Sequence, residues 1–287
     1  MTPAYVVQIA TPKKYALNGL WFGPKKPKQV VIWIHGLGSS MFGKVNLFLP
    51  VVDKDTAVLA FNNRGTERIV QIKRTSDTKS KRLLGGAAHE RFTDSADDIQ
   101  GAIDFAHRQG VKRIFLTGHS TGCQKSIYWA AKGGRGVKGI VLLAPVSDYA
   151  GVVAKYGKAR VFKALAYANS LMKKGKSDEL IPSSIWPEEL NDAQRLISLY
   201  SPDSVEEIFP YAQTKKPKLL QGVRIPILAL WAEHDEFSDR PAKQIKQWFD
   251  RHLKQEDSFV VIPKVTHGFK GGEKMVAKVI GAFMKEC

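Results

Sequence analysis

A doubly wound α/β fold, with a mostly parallel sheet covered by helices on both faces, follows from three features of the sequence. Six short runs, at residues 30–34, 56–61, 113–117, 139–144, 227–231 and 258–262, are nearly continuous in apolar residues, as strands are when both faces are buried. Between them lie longer segments in which apolar residues return every three to four positions. Strand and helix alternate along the chain with no internal repeat of fixed period, an order that right-handed crossovers in a parallel sheet satisfy.

Each element has its own signal. Residues 5–10 and 17–21 read as an antiparallel hairpin that starts the sheet. The third strand, 30–34, ends in His35-Gly36-Leu37-Gly38, and the fourth is 56–61. Residues 62–92 hold eight Lys or Arg, show little periodicity and end near Gly85-Gly86-Ala87-Ala88. They are therefore expected to form a long loop, the kind of segment that is usually functional or mobile inside a compact domain. Over 94–108, Ile99, Ala102, Ile103 and Ala106 share one helical stripe, with Asp97, Asp98, Gln100 and Arg108 elsewhere on the wheel. Residues 124–132, 240–253 and 274–285 read as helices in the same way. Between the 139–144 and 227–231 strands sits an insertion with helices of its own. Val161, Leu165, Ala168 and Met172 form a stripe, and Ser201-Pro202 and the capping box from Ser204 to Glu207 predict further short helices. The expected division is a core of 1–148 and 223–287 with residues 149–222 as a helical lid.

Composition narrows the function classes. A chain of 287 residues, 44% apolar and 25% charged, buries enough surface to fold without metals or disulfides. Intrinsic disorder, a disulfide-stapled scaffold and a collagen-like fibre are excluded. The net charge of +17 raises nucleic acid, an anionic membrane or acidic substrates as partners. The basic run from Arg64 to Arg91 has few aromatics, however, and no helix-turn-helix, RRM or zinc pattern accompanies it, so no specific nucleic-acid partner is expected. Cys123 and Cys287 are too few for a disulfide framework or a zinc site and fit a reducing compartment. Without a leader-like N-terminus or an apolar run near the about 18 residues of a membrane span, the protein is expected to be soluble and cytoplasmic. No residue cluster requires a metal or organic cofactor.

The chemistry concentrates in Gly118-His119-Ser120-Thr121-Gly122, which joins a buried strand to a helix. On such a strand-to-helix turn the serine hydroxyl is held out of the sheet, and the residues two before and two after must be small. Serine needs a base. His107 and His252 fall in helices, His119 lies inside the turn, His89 in the basic loop, and His35 and His234 at strand ends. His267, in Val265-Thr266-His267-Gly268-Phe269 after the last strand, is free to reach back over the sheet. An acid should orient the imidazole. Asp235 follows the 227–231 strand at the end where ligands gather in open α/β sheets. Asp148, Glu233, Glu236 and Asp239 are the alternatives, Asp148 also being suited to capping a helix.

These pieces, in the order Ser120, Asp235, His267, make the sequence resemble the α/β-hydrolase superfamily over most of its length. The resemblance implies an eight-stranded sheet and an oxyanion hole made by the backbone N–H groups of Leu37 and Thr121. It departs from the family after the fourth strand, where Asn62-Asn63-Arg64-Gly65 replaces an Asp-x-Arg-Gly stretch. Arg64 is expected to keep a structural ion pair. The implied activity is serine hydrolysis of a carboxylic ester or thioester. The alternatives are acyl transfer by the same triad and a binding protein without turnover. The substrate is expected to be a small-molecule ester. Positive charge at the site entrance would favour anionic ones, and Val161, Phe162, Leu165, Leu171 and Met172 could wall an apolar pocket.

Overall fold

The computed structural model describes residues 1–75 and 82–287. Strands β1 (Ala4–Ala10) and β2 (Tyr15–Phe22) form the expected hairpin, with Ile9 opposite Leu17. They are followed by β3 (Gln29–Ile34), the one-turn helix α1 (Val45–Phe48) and β4 (Thr56–Phe61). Two further strands, β5 (Val70–Arg74) and β6 (Leu83–Gly85), arise inside the segment expected to be a loop. Helix α2 (Ser95–Arg108), β7 (Arg113–His119), helix α3 (Thr121–Ala131) and β8 (Gly139–Leu143) come next. The insertion contributes α4 (Asp148–Tyr156), α5 (Lys158–Lys173), α6 (Ala193–Tyr200) and α7 (Lys218–Gly222). The chain closes with β9 (Ile227–Ala232), α8 (Ala242–His252), β10 (Ser258–Ile262) and α9 (Glu273–Glu286).

The strands form one sheet in the order β10-β9-β8-β7-β3-β4-β2-β5-β6, with β1 on β2. Every pairing from β10 to β4 is parallel, and those of β1, β2, β5 and β6 are antiparallel. The architecture is the expected one, but among the described residues the sheet has ten strands rather than eight. The additional pair has a physical origin. Tyr15 and Ala16 of β2 reach past the end of β4 and offer unpaired backbone that Arg74 and Lys73 take up. Residues 76–81 of the expected loop lie outside the described residues.

The two faces of the sheet are buried by different helices. Ile99, Ile103, Ile127, Ile245 and Phe249 cover Val30, Ile32 and Leu116, whereas Phe48, Val276, Ile280 and Phe283 cover Val31, Trp33 and Phe115. Successive residues of β3 therefore enter opposite cores, as the period of two in a strand requires.

The insertion builds a third cluster from Val161, Ala164, Leu165, Ala168, Leu171, Leu196 and Leu199. Two sequence expectations change here. Phe162 and Met172 are 44% and 40% exposed, so the buried stripe of α5 runs through Ala164 and Leu171 instead. The Ser204 box also starts no helix. The Glu206 N–H donates to Ser204 Oγ, but Glu206 and Glu207 turn their side chains to Arg195 and Ser147, and Pro210 blocks continuation.

Candidate active site

In this strand order the chain moves outward one way from β3 to β4 and the other way from β7 to β8. The loops after β3 and β7 diverge, leaving the crevice that a topological switch point provides. Ser120 follows β7 there with φ 55° and ψ −126°. Such a conformation costs a side-chain-bearing residue about 1–3 kcal/mol, and the surroundings enforce it. The Ser120 N–H donates to Leu143 O at 2.9 Å, and its carbonyl accepts from the Cys123 N–H at 2.8 Å. A Cβ at Gly118 would meet Gly122 O at 2.3 Å, and one at Gly122 would meet Ile34 O at 2.2 Å. Only glycine at both positions lets α3 start directly at Thr121, three residues before the start expected from sequence. Cys123, under the turn, gives its thiol to Gly118 O and Leu143 O.

His267 and Asp235, from the loops after β10 and β9, are brought together. His267 Nδ1 lies 2.9 Å and 3.1 Å from the two carboxylate oxygens of Asp235. A carboxylate only accepts, so this pairing puts the proton on Nδ1 and leaves Nε2 as acceptor. Asp235 Oδ1 also takes the Phe237 N–H at 3.0 Å. The other acids weighed from sequence have different work. Glu236 accepts the His267 N–H at 2.8 Å, Glu233 accepts the Lys264 N–H, and Asp239 pairs with Arg240. Ser147, not Asp148, caps α4. Asp148 instead lines the site, where Gln124 donates to it at 2.8 Å. Burial and, next, the charges of Glu206 and Glu207 hold its carboxyl well above the usual range.

Three contacts set the imidazole's surroundings and were not legible in sequence. The Phe237 ring meets it edge-on at 4.7 Å between centroids, and the His119 ring lies at 5.0 Å. His119 Nε2 donates to the His267 carbonyl at 3.0 Å. Burial, then the neighbouring His267, lowers the His119 pKa to about 3, so His119 stays neutral and acts as a fixed donor.

Leu37 follows Gly36, whose backbone abuts the serine: a Cβ on Gly36 would lie 3.0 Å from Ser120 Cβ. Thr121 opens α3, where first-turn N–H groups have no partner within the helix. Ser120, His267, Gly36 and Leu37 all line one cavity of about 820 Å³.

Its charged lining is Lys44 and Lys155 against Asp148, Glu188, Glu189 and Glu236, and Lys155 is paired with Glu188 at 2.7 Å. Among the described residues none from 62–92 lines it, nor do Val161, Phe162, Leu165, Leu171 or Met172. The lining formed by the described residues therefore supplies neither the positive entrance nor the apolar wall expected from sequence. Among the described residues of 62–92, Lys73 and Arg74 lie on β5 at the sheet edge, Arg82 donates to Gln71 and Arg91 pairs with Asp178. Arg64 pairs with Asp98 at 2.7 Å and Asp97 at 2.8 Å, fulfilling its expected structural role. The α5 stripe faces its own cluster. No group of three or more His, Cys, Asp or Glu side chains suited to a metal occurs among the described residues, and no helix there is long and apolar enough to cross a membrane.

A family model described as "Protein of unknown function (DUF1749)" matches residues 50–284. The chain belongs to the DUF1749 family. No curated protein matches the sequence of this DUF1749 member. Among solved structures, the Pyrococcus furiosus esterase Pf2001 is similar over 99% of this chain and 91% of its own, with TM-score 0.64 at 15% identity. The α/β hydrolase GrgF from Penicillium sp. sh18 is similar over 99% and 98%, with TM-score 0.66 at 15% identity. Carboxylesterase CesB of Bacillus subtilis is similar over 98% and 92%, with TM-score 0.57 at 16% identity. The DUF1749 chain thus has the α/β-hydrolase fold.

Proposed function

We propose that the protein is a serine hydrolase that cleaves a carboxylic ester or thioester through an acyl-enzyme on Ser120. The observation that carries this reading is the pairing of His267 Nδ1 with Asp235 in a cavity that Ser120 also lines. Nε2 of His267 accepts the hydroxyl proton as Ser120 Oγ bonds to the substrate carbonyl carbon, and Asp235 stabilises the imidazolium. The carbonyl electron pair moves to oxygen, which the Leu37 and Thr121 N–H groups hold without reorganising. Collapse expels the alcohol or thiol with the proton from His267. Water then repeats the sequence and releases the acid.

With the Asp148 carboxyl raised well above the usual range and Lys155 paired with Glu188, the charges left on the lining are Lys44 against Glu189 and Glu236, which gives anionic esters no advantage. Residues 149–222 serve as a lid, supplying Gly151, Val152, Lys155, Glu188 and Tyr200 to the cavity wall. Cys123 and Cys287, both unbonded, suit a reducing, cytoplasmic setting.

The test is a fluorophosphonate probe together with an ester panel graded in acyl length and charge. Ser120 should be labelled, and Ser120→Ala should keep the fold and lose turnover. A Ser120→Ala protein with near-normal activity would sink the reading, and a wild-type protein that resists labelling would favour binding without turnover. Ester products formed with added alcohol would identify the acyltransferase variant of the same mechanism.

A further inference from the structure

A chain of buried polar contacts runs from the insertion to the crevice and has no part in the chemistry above. Lys125 on α3, Glu90 before α2, Arg195 on α6 and Glu206 have side chains at most 3% exposed. Lys125 Nζ lies 2.6 Å from one Glu90 oxygen, and Arg195 approaches the other at 3.1 Å. Arg195 also donates to both oxygens of Glu206, at 2.6 Å and 3.2 Å. Two cations offset two anions. Burial alone would raise the Glu90 carboxyl, but the charges of Lys125 and Arg195 outweigh it and bring Glu90 below its usual range. A Cβ at Gly65 would fall 2.1 Å from Glu90 Oε1, so the backbone too is shaped around this carboxylate.

Stability does not account for such a cluster, since buried ion pairs are commonly replaceable by apolar residues of like volume without loss. The far end of the chain suggests its use. Lys125 Nζ reaches Asn63 Oδ1 at 3.5 Å, the loosest link. The Asn63 N–H donates to His35 Nε2 at 3.3 Å, and His35 Nδ1 donates to Gly36 O at 2.9 Å. An imidazole accepting through Nε2 must carry its proton on Nδ1. The Gly36 carbonyl and the Leu37 N–H belong to one planar peptide unit. A bond to that carbonyl therefore fixes where the Leu37 N–H points and polarises it.

We propose that Lys125 and Glu90 are positioning residues for the Gly36–Leu37 oxyanion peptide, and that Arg195 ties this peptide to the inserted helices. The proposal rests on the serine-hydrolase reading. Lys125 acts in two ways, through Asn63 and through its charge. Burial first, then the Lys125 ammonium, lowers His35 to about 4, while Glu90 pulls the other way. A protonated His35 would turn an N–H toward the Asn63 N–H and break the relay.

The experiment compares wild type, Lys125→Met and the double variant Lys125→Met/Glu90→Leu by steady-state kinetics, pH profile and thermal melting. Losing an oxyanion donor outright costs about 100- to 1,000-fold in kcat. A donor left in place but loosely aimed should cost about 10- to 100-fold. In Lys125→Met, kcat is expected to fall by that factor with KM within about twofold, and the acid limb of kcat/KM should move to higher pH. The double variant, free of unpaired charge at this pair, should regain melting temperature but not kcat. Recovery of kcat along with stability, or a Lys125→Met protein that loses stability alone, would overturn the proposal. Wild-type protein that neither takes the phosphonate nor turns over esters would overturn the serine-hydrolase reading itself, a result separable from losses confined to the variants.

Discussion

The sheet and the insertion are both apolar inside, yet they are held in different ways. Strands such as β4 are buried along their whole length, and each apolar side chain removed from water contributes about 1.5–3 kcal/mol in a register that a one-residue slip would destroy. The α4–α6 part of the insertion packs a cluster of its own, residues 208–220 join the main core through Ile208, Phe209, Tyr211 and Leu220, and directional polar contacts cross the junction as well. Arg195 reaches Glu90, Asp192 pairs with His89 at 2.8 Å, and Ser147 donates to Glu207 at 2.6 Å. Apolar patterning builds each region, and at their junction apolar packing by Phe209 and Tyr211 is combined with paired charge and hydrogen bonds. The crevice with Ser120 lies along that seam.

The strongest contrast should come from two glycines. Gly122→Ala places a Cβ against backbone at 2.2 Å and should prevent folding or cost more than about 4 kcal/mol. Gly157, between α4 and α5, has open space around it but φ 79° and ψ 148°, so Gly157→Ala should cost only the backbone strain, about 1–3 kcal/mol. Denaturant melts of the two would separate the cases, and equal losses would contradict the difference drawn between the regions.

Next in size is the proposed catalytic pair, Asp235 and His267. Asp235→Asn keeps shape but disfavours the Nδ1–H tautomer, and kcat should drop about 10⁴-fold with the melting curve little changed.

A smaller effect tests whether the insertion unfolds by itself. Leu165→Ala removes a residue of its cluster and should cost about 2–3 kcal/mol. Hydrogen exchange should show amides of α5 losing protection while β7 and β8 keep theirs. Uniform loss would mean that the two regions form one cooperative unit.

The seam should also respond to pH. Burial pushes the Glu207 carboxyl from 4.5 up to about 7, so the folded state binds a proton that the unfolded chain releases. Its contribution to stability is then present below about pH 4.5 and lost as pH rises through about 7, on the order of 2 kcal/mol. Glu207→Gln should flatten that decline and stabilise the protein at pH 8. An unchanged slope in melting temperature against pH would count against it. The smallest effect belongs to exposed Phe162, where Phe162→Ser should shift stability by no more than about 0.5 kcal/mol.

Much of this was legible from residue order, and the exceptions share a cause. Strands announced themselves because burial on both faces leaves an unbroken apolar run, and the Ser120 turn because Gly118 and Gly122 have no substitute. Asp235 stood at a strand end, but nothing local distinguished it from Glu236. That choice depends on where the 265–269 turn presents its N–H and its imidazole. The stripe of α5 was misphased at Met172, where Leu171 is the buried residue, because apolar residues sit on several sides of that helix. Strand β5 was hidden because its polar residues alternate with apolar ones, β6 because it is only three residues long, and both take their pairing from whatever backbone is free.

Lys125 illustrates the limit best. Residues 121–129 of α3 are buried all round, so no period marks its lysine as anything but a surface residue. Its partner Glu90 is 35 positions away, and Arg195, the second cation on Glu90, is 70 positions away, and only packing brings the three together. Burial patterns and steric necessity act between near neighbours and can be read along the chain. Pairing of buried charge acts across it, and in this protein the tertiary structure alone decides which carboxylate meets which cation.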